Sequence, residues 1–468
     1  MISTTPPDAP EKTSSGVLSR TFLWTTIGSF ALVFLAAFES VAVTAVMPAV
    51  SADLDGARLY AAAFAGPLAT GVIGMVAGGM WADRRGPVAP LYASVALFSV
   101  GLVVCGLAPS MEALVAGRLL QGLGGGALTV TLYVVVARVY PEELHPKIFA
   151  WFAAAWVVPA LVGPAAAGAV TDLLSWHWVF LGVVVLVALA MLMVVPSLGG
   201  LGPGEPAADD AGRGPRLLVW ATLAALAVLA LNLVSEIPRV GGLLVLASVA
   251  ATLVAVRPLL PAGTLRARRG LPSVVLMRGM GAAAFFGADV YLPYLFTERY
   301  GFSPTLAGLT LTLGALAWSG ASAVQGRLGE RLPHALAVRI GMVLVFAAIL
   351  PALLAALLGL HPAVPIAGWT VGGAGMGLMY PRLSTLVLGL STPANRGFNS
   401  SAMSIADSLG GALTLALAGI VFASFATGSA GGFAAVFAFA ALIGLVAALL
   451  AHRVSPGTGN SPKSEVIS

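Results

Sequence analysis

The deepest ionisable side chains in the long apolar runs of this sequence are Glu39, Arg118 and Asp289, with Asp407 somewhat shallower. A charge at the centre of a hydrocarbon layer costs roughly 2.5–3.5 kcal/mol on insertion scales, so it persists where it faces a water-filled cavity or a partner. A carboxyl group in a cavity that opens to alternate sides can bind a proton from one side and yield it to the other. Glu39 and Asp289 sit at similar depths in their runs and are the expected proton or cation sites. Arg118 is expected to modulate a nearby carboxylate or organise a proton path, and Asp407, somewhat shallower, is a further candidate. The competing reading has these charges paired across helices or reaching an interface. Around them Trp156, Phe286, Tyr291, Tyr294 and Trp318 are candidates to line a small-molecule cavity, since such sites combine apolar walls with a few polar groups; each ring can equally face lipid or a packed core.

The chain shows no phosphate-cradling loop, no helical histidine pair for a metal and no soluble catalytic segment. The single cysteine, Cys105, has no partner for a disulfide or a metal site. The sequence therefore predicts no enzyme, no cofactor and no metal, with an ion gradient as the energy source.

The elements that must position these residues are membrane helices. Residues are 59% hydrophobic and 9% charged, against about 25% charged in soluble proteins, so most of the surface must meet lipid. About 20 apolar residues cross a hydrocarbon core. Fourteen such runs occur, at 22–47, 58–81, 88–108, 111–138, 148–171, 177–197, 217–235, 240–257, 272–297, 304–328, 335–358, 364–388, 400–426 and 430–452. The seventh and eighth are short, and a twelve-span alternative makes them an interfacial pair. The first run is too long for a signal-peptide core and is expected to be a retained helix.

Charge orients the spans. With the N-terminus inside, 19 of the 24 Lys and Arg residues fall on the cytoplasmic side and only Arg58, Arg239 and Arg299 outside, with Arg118 and Arg278 within or near spans. The positive-inside rule then places both termini in the cytoplasm. The net charge of +5 reports this asymmetry and gives no reason to expect nucleic acid. The expected organisation is a tail (1–21), a six-helix half (22–197), a linker rich in Gly, Pro and Ala (198–216), two additional helices (217–257), a second six-helix half (258–452) and a tail (453–468).

The halves look duplicated. Gly79-Met80-Trp81-Ala82-Asp83-Arg84 follows the second span and Gly326-Arg327-Leu328-Gly329-Glu330-Arg331 the tenth, each with an acid four residues after Gly and then Arg. Internal repeats around a midplane site are a common transporter plan. Asp83 can accept from free N–H groups at a helix N-terminus in the other half, Arg84 can reach a carboxylate or lipid phosphate, and Gly79 and Gly86 permit close approach and a turn. The four are expected to form a cytoplasmic gate; a solvated loop whose charges only set topology is the plainer reading. Gly163, Pro164 and Gly168 in the fifth span favour close helix packing.

Four elements in order carry a family resemblance: Gly79 to Gly86 as Gly-x-x-x-Asp-Arg-x-Gly; Arg118-Leu119-Leu120-Gln121-Gly122-Leu123-Gly124; Gly163-Pro164-Ala165-Ala166-Ala167-Gly168; and Trp176-His177-Trp178-Val179-Phe180. Together they resemble the fourteen-helix drug:proton antiporters of the major facilitator superfamily, over nearly the whole chain. The departures are Pro87 and Val88 where further basic residues are usual, Glu39 for an Asp nine residues before Pro48, Thr44 for an Asn, and His177 for an Arg.

The resemblance implies an all-α integral membrane protein of the major facilitator fold, two six-helix halves plus two central helices. It further implies a monomeric, proton-coupled exporter of amphipathic or cationic drug-like molecules in a bacterial plasma membrane, with Gly163, Pro164 and Gly168 as its antiporter motif. Proton-coupled import of a small metabolite, or a sensor with the same fold, are the alternatives.

Overall fold

The computed structural model describes residues 16–198, 213–234, 241–392, 395–426 and 429–455. These residues form fifteen α-helices and short 3-10 turns, with no strand among them. The first half comprises α1 (Leu23–Asp53), α2 (Tyr60–Arg85), α3 (Val88–Gly106), α4 (Met111–Val139), α5 (His145–Leu173) and α6 (His177–Leu198). Then come α7 (Arg213–Val234) and α8 (Gly241–Val256). The second half comprises α9 (Leu271–Asp289), α10 (Tyr291–Tyr300), α11 (Pro304–Leu328), α12 (His334–Leu358), α13 (Ala363–Gly389), α14 (Arg396–Ala423) and α15 (Ala430–Leu450).

With α9 and α10 counted as one interrupted span, the helices match the fourteen expected runs. Thirteen are long and apolar enough to cross a membrane by length and composition, α7 and α8 included. The remaining one, α13, has the length, but its glycines dilute its hydropathy. Helices exist here because lipid offers no partner for backbone N–H and C=O groups, which must pair within the segment.

Two boundaries differ from expectation for a physical reason. The first run was expected to stop before Pro48, yet α1 continues through it to Asp53, because one missing N–H costs a helix packed among neighbours little. The ninth run was expected to be continuous and is interrupted at Val290. Pro293 lacks the N–H that would bond the carbonyl four residues back, at Asp289, and the Val290 N–H reaches the Phe286 carbonyl at only 3.4 Å.

The spans give the molecule two ends. One carries the starts of α2, α4, α11 and α15 and is called here the Tyr60 end; the other carries the Asp83 loop. At the Tyr60 end Ser110, Ser303 and Ser429 cap helices α4, α11 and α15 by accepting from backbone N–H groups, which gives an acceptor to donors the first turn would otherwise leave unpaired.

The duplication is visible in packing. In the first half α4 crosses α2 so closely that a methyl group at Gly122 would lie 2.2 Å from the Pro67 carbonyl, and one at Gly126 2.1 Å from that of Gly71. In the second half α13 crosses α11 in the same way: Gly373 stands 2.0 Å from the Gly314 carbonyl and Gly377 2.1 Å from that of Trp318, by the same measure. Small residues let helices approach in lipid, where packing rather than water exclusion holds them together. Helix α7 lies against both α2 and α14, and α8 packs on α7.

The loop repeat is weaker than its sequence implies. Asp83 and Arg84 lie inside the last turn of α2, which ends at Gly86 with φ +82°. In the second half the helix stops earlier, at Leu328, and Gly329 takes the positive φ, so Glu330 and Arg331 belong to the following 3-10 turn. The two acids therefore occupy different local structures.

Candidate functional site

In the first half, α1 and α4 bring Glu39 and Arg118 into a salt bridge with side chains only 5–6% exposed. Arg118 Nε donates to the Ala63 carbonyl at 3.0 Å. That carbonyl needs a donor because Pro67, inside α2, has no N–H to give it. The second terminal contact of Arg118 is to Gln121 Oε1 at 3.0 Å, one turn along α4. Cys105 Sγ also donates to Gln121 Oε1, at 3.4 Å. All four side chains of this network, Glu39, Arg118, Gln121 and Cys105, are buried, and the Arg118 guanidinium is the counter-charge of Glu39.

In the second half the midspan carboxylate recurs on the same helix crossing, with different partners. The displacement that carries Gly122 onto Gly373 and Gly126 onto Gly377 carries Arg118 onto Trp369, and Asp289 stands where Glu39 stands. Trp369 Nε1 donates to Asp289 Oδ1 at 2.9 Å. No cation among the described residues pairs with Asp289. One half thus answers its midspan carboxylate with a guanidinium, the other with an indole N–H.

Asp407 belongs to a third cluster. Arg278 Nε donates to Asp407 Oδ1 at 2.8 Å, Tyr380 Oη donates to the same oxygen at 2.9 Å, and the guanidinium lies 3.6 Å from the Tyr380 ring centroid. Arg278 and Asp407 are 18% and 27% exposed, several times more than the Glu39 pair. One turn after Asp407 on α14, a methyl group at Gly411 would lie 3.2 Å from the Leu68 side chain of α2, so the cluster lies on the face of α14 that meets the first half.

An aromatic array joins the second and third clusters. Tyr380 meets Trp318 edge-on at 5.3 Å, Trp318 meets Phe285 edge-on at 5.7 Å, and Phe285 stacks on Trp369 at 4.5 Å. Phe286 meets Phe285 edge-on at 5.5 Å; Phe286 and Trp318 are half-buried. Eleven residues, about three turns or roughly 16 Å of helix, separate Arg278 from Asp289 along α9, so both lie on one face. The second half therefore carries a wall with a charged pair at one end, a carboxylate at the other and rings between.

Tyr291 and Tyr294 lie elsewhere. Both are buried, with Tyr60 of the first half 5.7 Å and 4.6 Å away by ring centroids. Phe422 lies against both and Phe433 against Tyr294. Tyr60 Oη donates to the Val290 carbonyl at 2.9 Å. This cluster joins the halves at the Tyr60 end. Trp156 is half exposed on α5.

The Gly163-Pro164-Gly168 segment reaches the other half at the same end. A methyl group at Gly168 would lie 2.5 Å from Thr305 Cα, and one at Gly308 2.4 Å from the Pro164 carbonyl, whereas Gly163 has only ordinary contact with Phe38. One turn beyond Gly168, Asp172 accepts from the Thr305 hydroxyl and, at 3.3 Å, from its backbone N–H. That N–H sits in the first turn of α11, where the helix dipole favours an acid. Trp176 Nε1 donates to Asp53 Oδ2 at 2.9 Å, tying α6 to the end of α1. Asp83 and Arg84 are exposed at the opposite end, and Gly79 approaches Val130 of α4.

Arg278, Tyr380, Trp369, Tyr60 and Asp172 are absent from the residues expected from sequence. Two signals were available. Arg278 falls inside the ninth apolar run, away from the loops that carry most Lys and Arg residues. The glycine pattern after Arg118, at Gly122, Gly124 and Gly126, recurs after Trp369 at Gly373, Gly375 and Gly377, and aligning the two exposes the Arg-to-Trp exchange. Nothing local marks Tyr60 or Asp172.

The family model described as Major Facilitator Superfamily matches residues 29–413. The chain belongs to that superfamily. It is thus a member of a transporter superfamily, not an enzyme. Among curated members it is 30% identical, over 93% of this chain and 96% of the relative, to Rv1634 of Mycobacterium tuberculosis, named a probable multidrug-efflux transporter. It is 23% identical to the multidrug efflux pump SdrM of Staphylococcus aureus, over 85% of this chain and 89% of that protein. A crystal structure of a POT family transporter shares the fold, with a TM-score of 0.69 at 16% identity over 92% of this chain and 97% of that one. The Tyr60 cluster is a contact between the two halves.

Proposed function

We propose that this chain is a proton-coupled exporter of amphipathic or cationic drug-like small molecules, working by alternating access between its two halves in a bacterial plasma membrane. The observation that supports it most is Asp289, a midspan carboxylate held by a neutral donor alone. Glu39 is balanced by Arg118 and Asp407 by Arg278, so a proton added to either breaks an ion pair. A proton added to Asp289 removes an uncompensated charge, which is the lower-cost exchange in a low-dielectric interior. Asp289 is the primary coupling group in this reading, and the Glu39 network is a structural counterpart that holds α1, α2 and α4 together.

The charge asymmetry supports both termini in the cytoplasm, which makes the Tyr60 end the outer one. The structure then corresponds to a state latched outside by the Tyr60 cluster, the Gly168–Gly308 crossing and the Asp172–Thr305 contact. The Asp83 loop performs the matching task on the cytoplasmic side in the opposite state. The named relatives support efflux and a drug-like cargo.

The test uses full-length protein in proteoliposomes with a pH-sensitive dye inside. Adding a lipophilic cation should move protons opposite to the compound, and an imposed pH gradient should drive its accumulation. Proton movement in the same direction as substrate would establish symport instead, and no movement of either would favour a sensor.

A further inference from the structure

The Arg278 cluster has capacity that its internal contacts leave unused. A guanidinium has five N–H donors. Nε–H is spent on Asp407, and the ring of Tyr380 supports one face of the plane. Nη1 and Nη2 have no acceptor among the described residues. Arg118 differs in Nη1 and in burial: its Nε and Nη1 are engaged by a carbonyl, a carboxylate and an amide, and the side chain is 6% exposed. Arg278 is instead partly exposed between the halves. Held at Nε and stacked on a ring, it presents the two terminal nitrogens as a fork with little rotamer freedom left to lose. A fork of that shape matches the two oxygens of a carboxylate. Beside it begins the Trp318–Phe285–Trp369 array, which suits an apolar body attached to such a group.

We propose that the Nη1 and Nη2 atoms of Arg278 form a carboxylate-binding site between the halves, and that the transported compounds include amphipathic organic acids. Asp407 fixes the guanidinium from the side and repels an incoming anion, which sets the affinity low enough for release. This inference rests on the transport reading above but concerns the chemical class of the cargo, which that reading leaves broad.

Full-length protein in lipid nanodiscs is tested by equilibrium dialysis with three probes of one shape: 2-naphthylacetate, 2-naphthylacetamide and 2-(2-naphthyl)ethylamine. The parent should bind the acid about tenfold more tightly than the amide, as expected for a charge-assisted pair of hydrogen bonds. Arg278→Gln should bring the acid down to the affinity of the amide. Asp407→Asn removes the competing anion while keeping a side chain able to hold Nε, and should tighten binding of the acid. If Arg278→Gln does not yield folded protein, Asp407→Asn decides, with unchanged or weaker acid binding overturning the site. Equal binding of acid and amide by the parent, a preference for the amine, or an acid preference that survives in Arg278→Gln also overturns it. The transport reading fails separately. An acid preference that depends on Arg278, in a protein that accumulates none of the three probes under a pH gradient, would keep the site and refute transport. Gradient-driven movement of amine or amide without any acid preference would do the reverse.

Discussion

Trp369 holds Asp289 from the position in the second half that Arg118 occupies in the first. Two helix crossings built on the same glycine spacing place a carboxylate opposite a residue of the facing helix. In one copy that residue is a cation and in the other a neutral donor. The duplicated frame has kept its geometry while the charge balance of its two midspan acids has diverged.

Asp289→Asn should abolish accumulation of substrate against its gradient while passive exchange of substrate survives, because an amide has no proton to release. Both are measured in the same proteoliposomes. Trp369→Arg should produce the same loss by giving Asp289 the partner Glu39 already has. Unimpaired gradient-driven accumulation in Asp289→Asn would remove this residue as the coupling group and bring Asp407 forward.

Glu39→Gln should act on stability before coupling. It leaves the Arg118 guanidinium buried without its counter-charge, at a cost of about 3–5 kcal/mol. The melting temperature in detergent should fall, and the double variant Glu39→Gln with Arg118→Met should recover much of the loss. A single variant as stable as the parent, yet uncoupled, would make Glu39 a coupling residue after all.

Asp172→Asn keeps the size of the side chain but withdraws the charge that meets the first turn of α11. The latched state should lose about 0.3–1 kcal/mol, the usual worth of an acid at a helix start. A cysteine placed at Leu68, which packs against Gly411 across the halves, should then label faster from the Tyr60 side. An unchanged labelling rate would show that the aromatic cluster and the glycine crossing hold this end without it.

Asp83→Asn should lower the transport rate while leaving expression and substrate affinity largely intact, if the loop stabilises closure of its own end. Rates and affinities are read from concentration-dependent uptake into vesicles. A normal rate would reduce the loop to a determinant of topology.

Single cysteines in a Cys105→Ala background should label from outside near Asp55 and Glu236 and be protected near Asp210. Glu236 and Asp210 lie outside the described residues, so labelling tests the expected orientation independently of the fold. External labelling at Asp210 would invert the assignment.

The sequence alone determined the number and order of the spans, the orientation that charge favours and the superfamily. Each of these is written locally, in runs of apolar residues long enough to cross lipid, in the sidedness of Lys and Arg, and in motifs a few residues long. It also identified Glu39, Arg118, Asp289 and Asp407 as unusual, because a charge inside an apolar run needs no tertiary information to be noticed. Only the tertiary structure decided what each charge meets. Glu39 finds Arg118 across 79 residues, Asp289 finds Trp369 across 80, and Arg278 finds Asp407 across 129. Such partners depend on the rotation and depth of whole helices, which follow from how glycines let them cross and where prolines free a carbonyl. A rotation of one residue, about 100° of helix, would have exchanged a paired acid for an unpaired one.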